Sequence, residues 1–354
     1  MTAQLARVRR VLSANRRLAD PTDALGAEAR ERLPEITHLS PRGVSLALEH
    51  HLEVVATDDD LAALVASVAE APRVHVVLSA NVFTASSRAL ALALASSPRV
   101  VVRPSRREPV FAELLLRALD DIPGEGELVL AEGIAPEAGD HVHAYGRDAT
   151  LRTIQSTLPA GVSLWGHGTG LGVAAVGEGD VGAAAEAVAA DVVAFDQRGC
   201  LSPRIALVAG GEDAAVEFGR SLAAALKRYL QDVPLGEVDA AERASLRSYV
   251  QTIAVVGRTF GEPGALVGVD LSPRALLIAD APRCVHVVHV RRAEDASALL
   301  APIAAKVAAL GGTGSLADSL SVVVPLARRS ALGAMQRPPL DGPVDRRAPA
   351  PRSR

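Results

Sequence analysis

From Arg73 onward, short apolar runs alternate with Ala/Leu-rich stretches of helical length. "RVHVVLSA", "RVVVRPS", "ELVLAEG", "HVHAYG" and "GVSLWGHG" predict strands, and "SSRALALALASS" and "EPVFAELLLRALDD" predict helices between several of them. That alternation is the pattern of crossover units in a parallel sheet covered on both faces. The first sixty residues read as helix and loop, with Asp58, Asp59 and Asp60 suited to the N-terminus of the helix "LAALVASVAEA". A second α/β block begins near Asp191. Its expected strands are "DVVAFDQ", "RIALVAGG", "RALLIADA", "RCVHVVHV" and "SLSVVVP", and its helices cover "EDAAVEFGRSLAAALKRYL", "AAERASLRSYVQTIAVV" and "AEDASALLAPIAAKVAALGG". The pattern predicts an α/β protein of two domains, 1–190 and 191–345. The end, 346–354, has too little apolar content to pack and is expected to be disordered.

Composition narrows the class. With 354 residues, 49% apolar and 22% charged, the chain has enough to bury large cores. A net charge of -4 and 3% aromatics offer no footprint for nucleic acid. No apolar run is long enough to span a bilayer, and the Arg-broken start lacks a signal-peptide core. Two cysteines make no disulfide framework, so a reducing cytoplasm is the expected setting.

Few motifs carry chemistry. There is no Gly-x-Gly-x-x-Gly after an early strand and no Walker-type loop, and "GHGTGLG" at 166–172 reads first as backbone punctuation. His141 and His143, and His286 and His289, lie in strand patterns without a third metal ligand. Cys284, inside "RCVHVVHV", reads as core. Cys200, in "AFDQRGCLSPR", sits between Gly199 and a Leu-Ser-Pro; taken alone it is either a packed small hydrophobe or a nucleophile. A glycine allows close approach of a substrate, and a helix or turn starting at the cysteine would offer an N–H and lower the thiol pKa.

"ANVFTASSRALALALASSPRVVVRPSRREPVFAELLLRAL" followed by "AFDQRGCLSPR" resembles the aldehyde dehydrogenase superfamily, and within it the acyl-CoA reductases of the LuxC type. "HLSPRGVSLALEHHL" and "ALGAMQRPPLDGPVD" extend the resemblance from about residue 38 to 345. It implies a Rossmann-like NAD(P)-binding domain followed by a catalytic domain opened by the Cys200 loop. It gives Cys200 the nucleophile position and Asn81, with the Cys200 N–H, the oxyanion hole. Arg103 takes the place where the superfamily usually has a lysine facing the adenosine ribose, with Ser105, Arg106 and Arg107 nearby. Gly146 and Arg147 fall beside the cofactor pyrophosphate. Three arginines near one ribose lean the expected cofactor to NADPH, against the plainer reading of Arg106 and Arg107 as a solvated helix start.

The departures bear on the reaction. The superfamily's aldehyde-oxidising members carry a glutamate base in a Glu-Leu-Gly-Gly element, and the matching stretch here is "SLWGHGTG". His167 is either a replacement base or a loop residue. Without the glutamate an acyl-enzyme should hydrolyse slowly, which favours NADPH-dependent reduction of an acyl-CoA, expected to be fatty acyl, to an aldehyde. The alternatives are a CoA-acylating aldehyde dehydrogenase on a short aldehyde, a non-catalytic reductase-like scaffold, and an acyltransferase or thioesterase using Cys200 without hydride. The chain has no room for the hairpin arm of many relatives, which leaves a homodimer open and argues against an arm-mediated tetramer. An acyl-transferring or aldehyde-consuming partner enzyme fits such a reaction.

Overall fold

The structure, a computed structural model, describes residues 2–347. The expected tail at 346–354 lies outside the described residues except for Arg346 and Arg347. The chain divides into two compact units, one of the chain up to Thr37, Val44–Thr169 and the chain from Pro339, the other of His38–Gly43 and Gly170–Pro338. The division therefore falls before residue 190. The reason is that the apolar run at 171–176 is a strand of the second sheet, and the segment after Pro338 returns to the first unit.

The first unit opens with helices α1 (Thr2–Ala19), α2 (Ala24–Thr37), α3 (Pro41–His50, which begins in the second unit) and α4 (Asp58–Ala66). The acidic start of α4 is a reciprocal cap: Asp60 N–H donates to the Thr57 hydroxyl and Thr57 N–H donates to the Asp60 carboxylate. There follow β1 (Val74–Val77), α5 (Ala85–Ser96), β2 (Arg99–Arg103), α6 (Val110–Asp120), β3 (Glu127–Leu130), β4 (His141–Tyr145), α7 (Asp148–Thr157) and β5 (Ser163–His167). All five strands are parallel, in the order β3-β2-β1-β4-β5. The α5 helix is buried along its length, its Arg88 paired with Glu53 at 2.8 Å, and Leu90, Leu92 and Leu94 are each worth about 1.5–3 kcal/mol on transfer from water. The β3–β4 connection carries no helix, and Val129 on edge strand β3 is 47% exposed.

The second unit holds β6 (Leu171–Val176), α8 (Val181–Val193), β7 (Pro203–Ala209), α9 (Glu212–Asp232), α10 (Ala240–Val256), β8 (Gly257–Phe260), β9 (Leu266–Asp270), β10 (Cys284–Val290), α11 (Ala293–Leu300), β11 (Val307–Gly311), α12 (Ser315–Val323) and β12 (Arg328–Ser330). Its seven-stranded sheet runs β12-β11-β6-β7-β10-β9-β8, antiparallel only at β8. Strands β6, β9 and β11 are buried throughout, as the continuous apolar runs of a two-sided parallel sheet require.

Three expected strands are corrected. "DVVAFDQ" is the end of α8 and a tight turn, because the apolar spacing of "AAAEAVAADVV" continues a helix whose buried face includes Ala185, Val188, Ala189 and Val192. "SLSVVVP" is the end of α12 and the two residues after it; Leu316, Ala317 and Leu320 pack one face of that helix into the core and override the strand preference of its valines. "RALLIADA" is irregular. The helix expected over "AEDASALLAPIAAKVAALGG" stops at Leu300; a 3-10 turn follows, and Val307–Gly311 is strand β11.

Candidate active site

In the second unit, Cys200 follows α8 rather than a strand, and the route between them is unusual. Phe195, Asp196 and Gln197 have φ of 54°, 51° and 63°, three successive non-glycine residues in the left-handed region. That conformation costs about 1–2 kcal/mol per residue, somewhat less for Asp. All three are buried. The Asp196 carboxylate accepts from Arg283 Nε at 2.8 Å and from Gly236 N–H at 3.0 Å, and Arg283 Nη2 stands 2.6 Å from it. Arg283 is fully buried and also donates to the Val233 carbonyl. The Gln197 amide donates to the carbonyls of Pro203 (2.8 Å) and Cys284 (2.9 Å) and accepts from Cys284 N–H (2.8 Å). It thereby bridges the starts of β7 and β10.

Beyond Gln197, Arg198 N–H donates to the Phe195 carbonyl, and its guanidinium reaches Glu242 and the Glu237 carbonyl. Cys200 lies half-buried in a turn closed by Ser202 N–H to Gly199 carbonyl, so the expected turn is present and no helix starts there. On the far side, Gly172 N–H donates to the Ser202 carbonyl, and a Cβ on Gly172 would stand 2.3 Å from the Leu201 carbonyl oxygen. Cys284 is core: it is 1% exposed, and burial pushes its thiol up to about 12. Sequence reasoning missed the Asp196–Arg283 pair, whose partners are 87 residues apart. The role of Gln197 was hidden too, although it stands inside the quoted motif.

In the first unit the strand order reverses between β1 and β4, and ligands of open parallel sheets bind at the carboxyl ends of strands at such a point. Asn81 is exposed in the loop after β1, anchored by buried Phe83, which packs on Phe111 at 5.2 Å. Arg103 ends β2 half-buried, and its carbonyl accepts from Leu78 N–H, joining the two strand ends. The Ser105 hydroxyl accepts from Arg107 N–H and the Ser105 carbonyl from Glu108 N–H, which leaves Arg106 and Arg107 exposed at the tip of a tight turn. Glu108 is buried, caps the α6 start through Phe111 N–H at 2.8 Å, and is held above the usual carboxylate range by burial. After β4 come Gly146 and Arg147, the N-cap residue of α7, which gives that helix no side-chain cap. Gly146 has ordinary space for a Cβ, the nearest atom being 3.7 Å away. Among the described residues, Arg103, Arg106, Arg107 and Arg147 have no ion-pair partner. The structure thus brings Asn81, Arg103, Ser105, Arg106, Gly146 and Arg147 to the carboxyl ends of adjacent strands.

His167 ends β5, stacked on Tyr145 at 4.6 Å. Burial lowers its pKa, and the facing Asp345 carboxylate opposes that shift. Asp345 is itself paired with Arg347 at 2.7 Å, and Arg347 donates to the Thr169 carbonyl. His141 and His143 flank Trp165, at 6.3 and 6.1 Å. No group of three or more His, Cys, Asp or Glu among the described residues could hold a metal ion. A cavity of about 340 Å³ lies at the carboxyl ends of β6, β11 and β12, lined in part by Glu178, Asp180 and Thr313. Cys200 stands before the amino end of β7, at the other end of the same sheet.

A family model described as acyl-CoA reductase (LuxC) matches residues 66–306. Solved structures that are similar include an oxidoreductase from Marinobacter aquaeolei, 14% identical over 95% of this chain and 79% of that one, TM-score 0.67. A NAD-dependent benzaldehyde dehydrogenase from Corynebacterium glutamicum is 16% identical over 93% and 80%, TM-score 0.67. A NAD-dependent aldehyde dehydrogenase from Sinorhizobium meliloti is 17% identical over 92% and 74%, TM-score 0.64. At these identities the likeness establishes the aldehyde dehydrogenase fold. No curated protein matches the sequence. Among the described residues, no helix is long and apolar enough to cross a membrane.

Proposed function

The chain belongs to the LuxC acyl-CoA reductase family, oxidoreductases of the acyl-CoA/aldehyde couple, and from that premise we propose that it reduces a fatty acyl-CoA to the aldehyde through a thioester on Cys200, using NADPH. The observation that carries the reading is the half-buried Cys200 in a closed turn, fixed on both flanks by buried hydrogen bonds.

The Cys200 thiolate attacks the thioester carbonyl carbon, and the negative charge moves to the carbonyl oxygen. The Cys200 N–H and the Asn81 side-chain amide are assigned as its hydrogen-bond donors, a role worth a few kcal/mol per donor. Collapse expels the CoA thiolate and leaves acyl-Cys200. A reduced nicotinamide, when bound, supplies the hydride that reaches the acyl carbon. Collapse of the resulting oxyanion releases aldehyde and returns the Cys200 thiolate.

The first unit fits a nicotinamide dinucleotide. The α7 N-terminus is free of a side-chain cap, Gly146 keeps the backbone beside it bare of a side chain, and Arg147 adds positive charge, a combination suited to a pyrophosphate. Arg103, Arg106 and Arg107, with Ser105 shaping their turn, suit a further phosphate on the ribose, which favours NADPH over NADH. The glutamate base of the aldehyde-oxidising pattern is absent from "SLWGHGTG", so nothing in that stretch except His167 could activate water against acyl-Cys200. Cys200→Ala tests the proposal: loss of NADPH-dependent aldehyde formation from acyl-CoA is expected, and full activity in the folded variant would refute it.

A further inference from the structure

The approach to Cys200 spends three successive left-handed residues and buries an ion pair beneath them, although apolar side chains would fill the same space without the cost of desolvating charge. Two of the three strained residues lead to fixed points. Asp196 is tied to Arg283 and to Gly236 N–H, and Arg283, itself at φ 47°, is tied to the Val233 carbonyl. Gln197 is tied through both ends of its amide to β7 and β10. The Gln197 carbonyl accepts in turn from Arg204 Nη2 at 3.2 Å. Only Arg198 and Gly199 separate this anchor from Cys200, and Arg198 is bonded at its backbone and at its guanidinium.

We propose that the Asp196–Arg283 pair and the Gln197 amide are positioning residues that set where the Cys200 thiol and N–H stand, and so set the rate of acyl transfer to Cys200. The proposal rests on the reading of Cys200 as nucleophile. Alkylation of a thiol by a small reagent needs only access and thiolate. Attack on a thioester needs the sulfur in line with the carbonyl and the N–H aimed at the developing oxyanion. A clamp that positions the cysteine therefore acts on acylation far more than on alkylation.

The test uses the full chain carrying Asp196→Asn or Gln197→Glu, both close in size to the native side chain, with Asn the more tolerant of left-handed backbone. Acyl-Cys200 formation from an acyl-CoA is timed by intact mass, beside iodoacetamide alkylation of Cys200 across pH and the thermal midpoint. The expected result is acylation slowed at least tenfold, with the alkylation pH profile unmoved and alkylation rates within twofold of the native protein. Acylation at the native rate in a folded variant overturns the proposal, and so does a parallel loss of acylation and alkylation. If both variants fail to fold, amide exchange in the native protein decides. Peptide 194–203 exchanging as slowly as β7 supports the clamp, and exchange as fast as the exposed turn at 105–107 overturns it. A native protein that takes no acyl group from any acyl-CoA fails the nucleophile reading instead, and the exchange comparison still judges the clamp.

Discussion

Arg106 and Arg107 stand at the tip of a turn built by Ser105 and Glu108, with no carboxylate partner among the described residues to neutralise them. If they meet a ribose phosphate, Arg106→Glu will raise KM for NADPH at least tenfold, about 1.4 kcal/mol, and leave KM for NADH within twofold. Equal loss with both cofactors in steady-state assays would show that the arginine does not read the phosphate. Gly146 makes a parallel case: the fold has room for a Cβ there, so Gly146→Ala should weaken cofactor binding in titration while the thermal midpoint holds. His143 reports on burial. Its imidazole is enclosed, and burial lowers its pKa from 6.5 to about 3. Below pH 6.5 the unfolded chain accepts a proton that the folded chain refuses, so this residue's contribution to stability falls as pH drops through that window. The stability of the native protein relative to His143→Leu should therefore drop by roughly 1–2 kcal/mol between pH 6.5 and 5 in urea titrations. Parallel curves would mean that the ring stays solvated. At this scale the sequence exposed residue types in a recognisable order, including Cys200, Asn81 and Arg103. It could not expose Asp196 with Arg283, or His167 with Asp345, because those pairings exist only after distant segments are brought together.

Most helices were legible from periodicity and capping residues: α9 and α10 lie where their apolar spacing predicts. The misread elements share a physical cause. "DVVAFDQ" and "SLSVVVP" are apolar and rich in valine, so local preference points to strands, while burial of one helical face decides otherwise. No local signal marks three left-handed residues after α8, since none is glycine. Gly172 is a further hidden constraint, a strand glycine required because the Leu201 and Ser202 backbone passes against it. Gly172→Ala should destabilise the fold by about 1–3 kcal/mol through this overpacking and slow acylation of Cys200, measured by urea titration and intact mass. A variant of native stability would show that the Cys200 turn yields easily.

On the scale of the whole molecule, alternation of strands and helices foretold two parallel α/β blocks, and two such sheets are present. The compact units divide after Thr169, where β6 lies directly after the glycine-rich stretch and apolar pattern alone does not say which sheet a strand joins. The return of the chain from Pro339 to the first unit carries Asp345 and Arg347 to the end of β5. The central claim is chemical: one thiol holds the acyl group until a hydride arrives. Intact-protein mass after mixing with acyl-CoAs from acetyl to palmitoyl, without and then with NADPH, tests it directly. The account predicts a single acyl adduct on Cys200 that persists alone and disappears with NADPH as aldehyde forms. An adduct indifferent to NADPH, or aldehyde formed with Cys200 replaced by alanine, would contradict it.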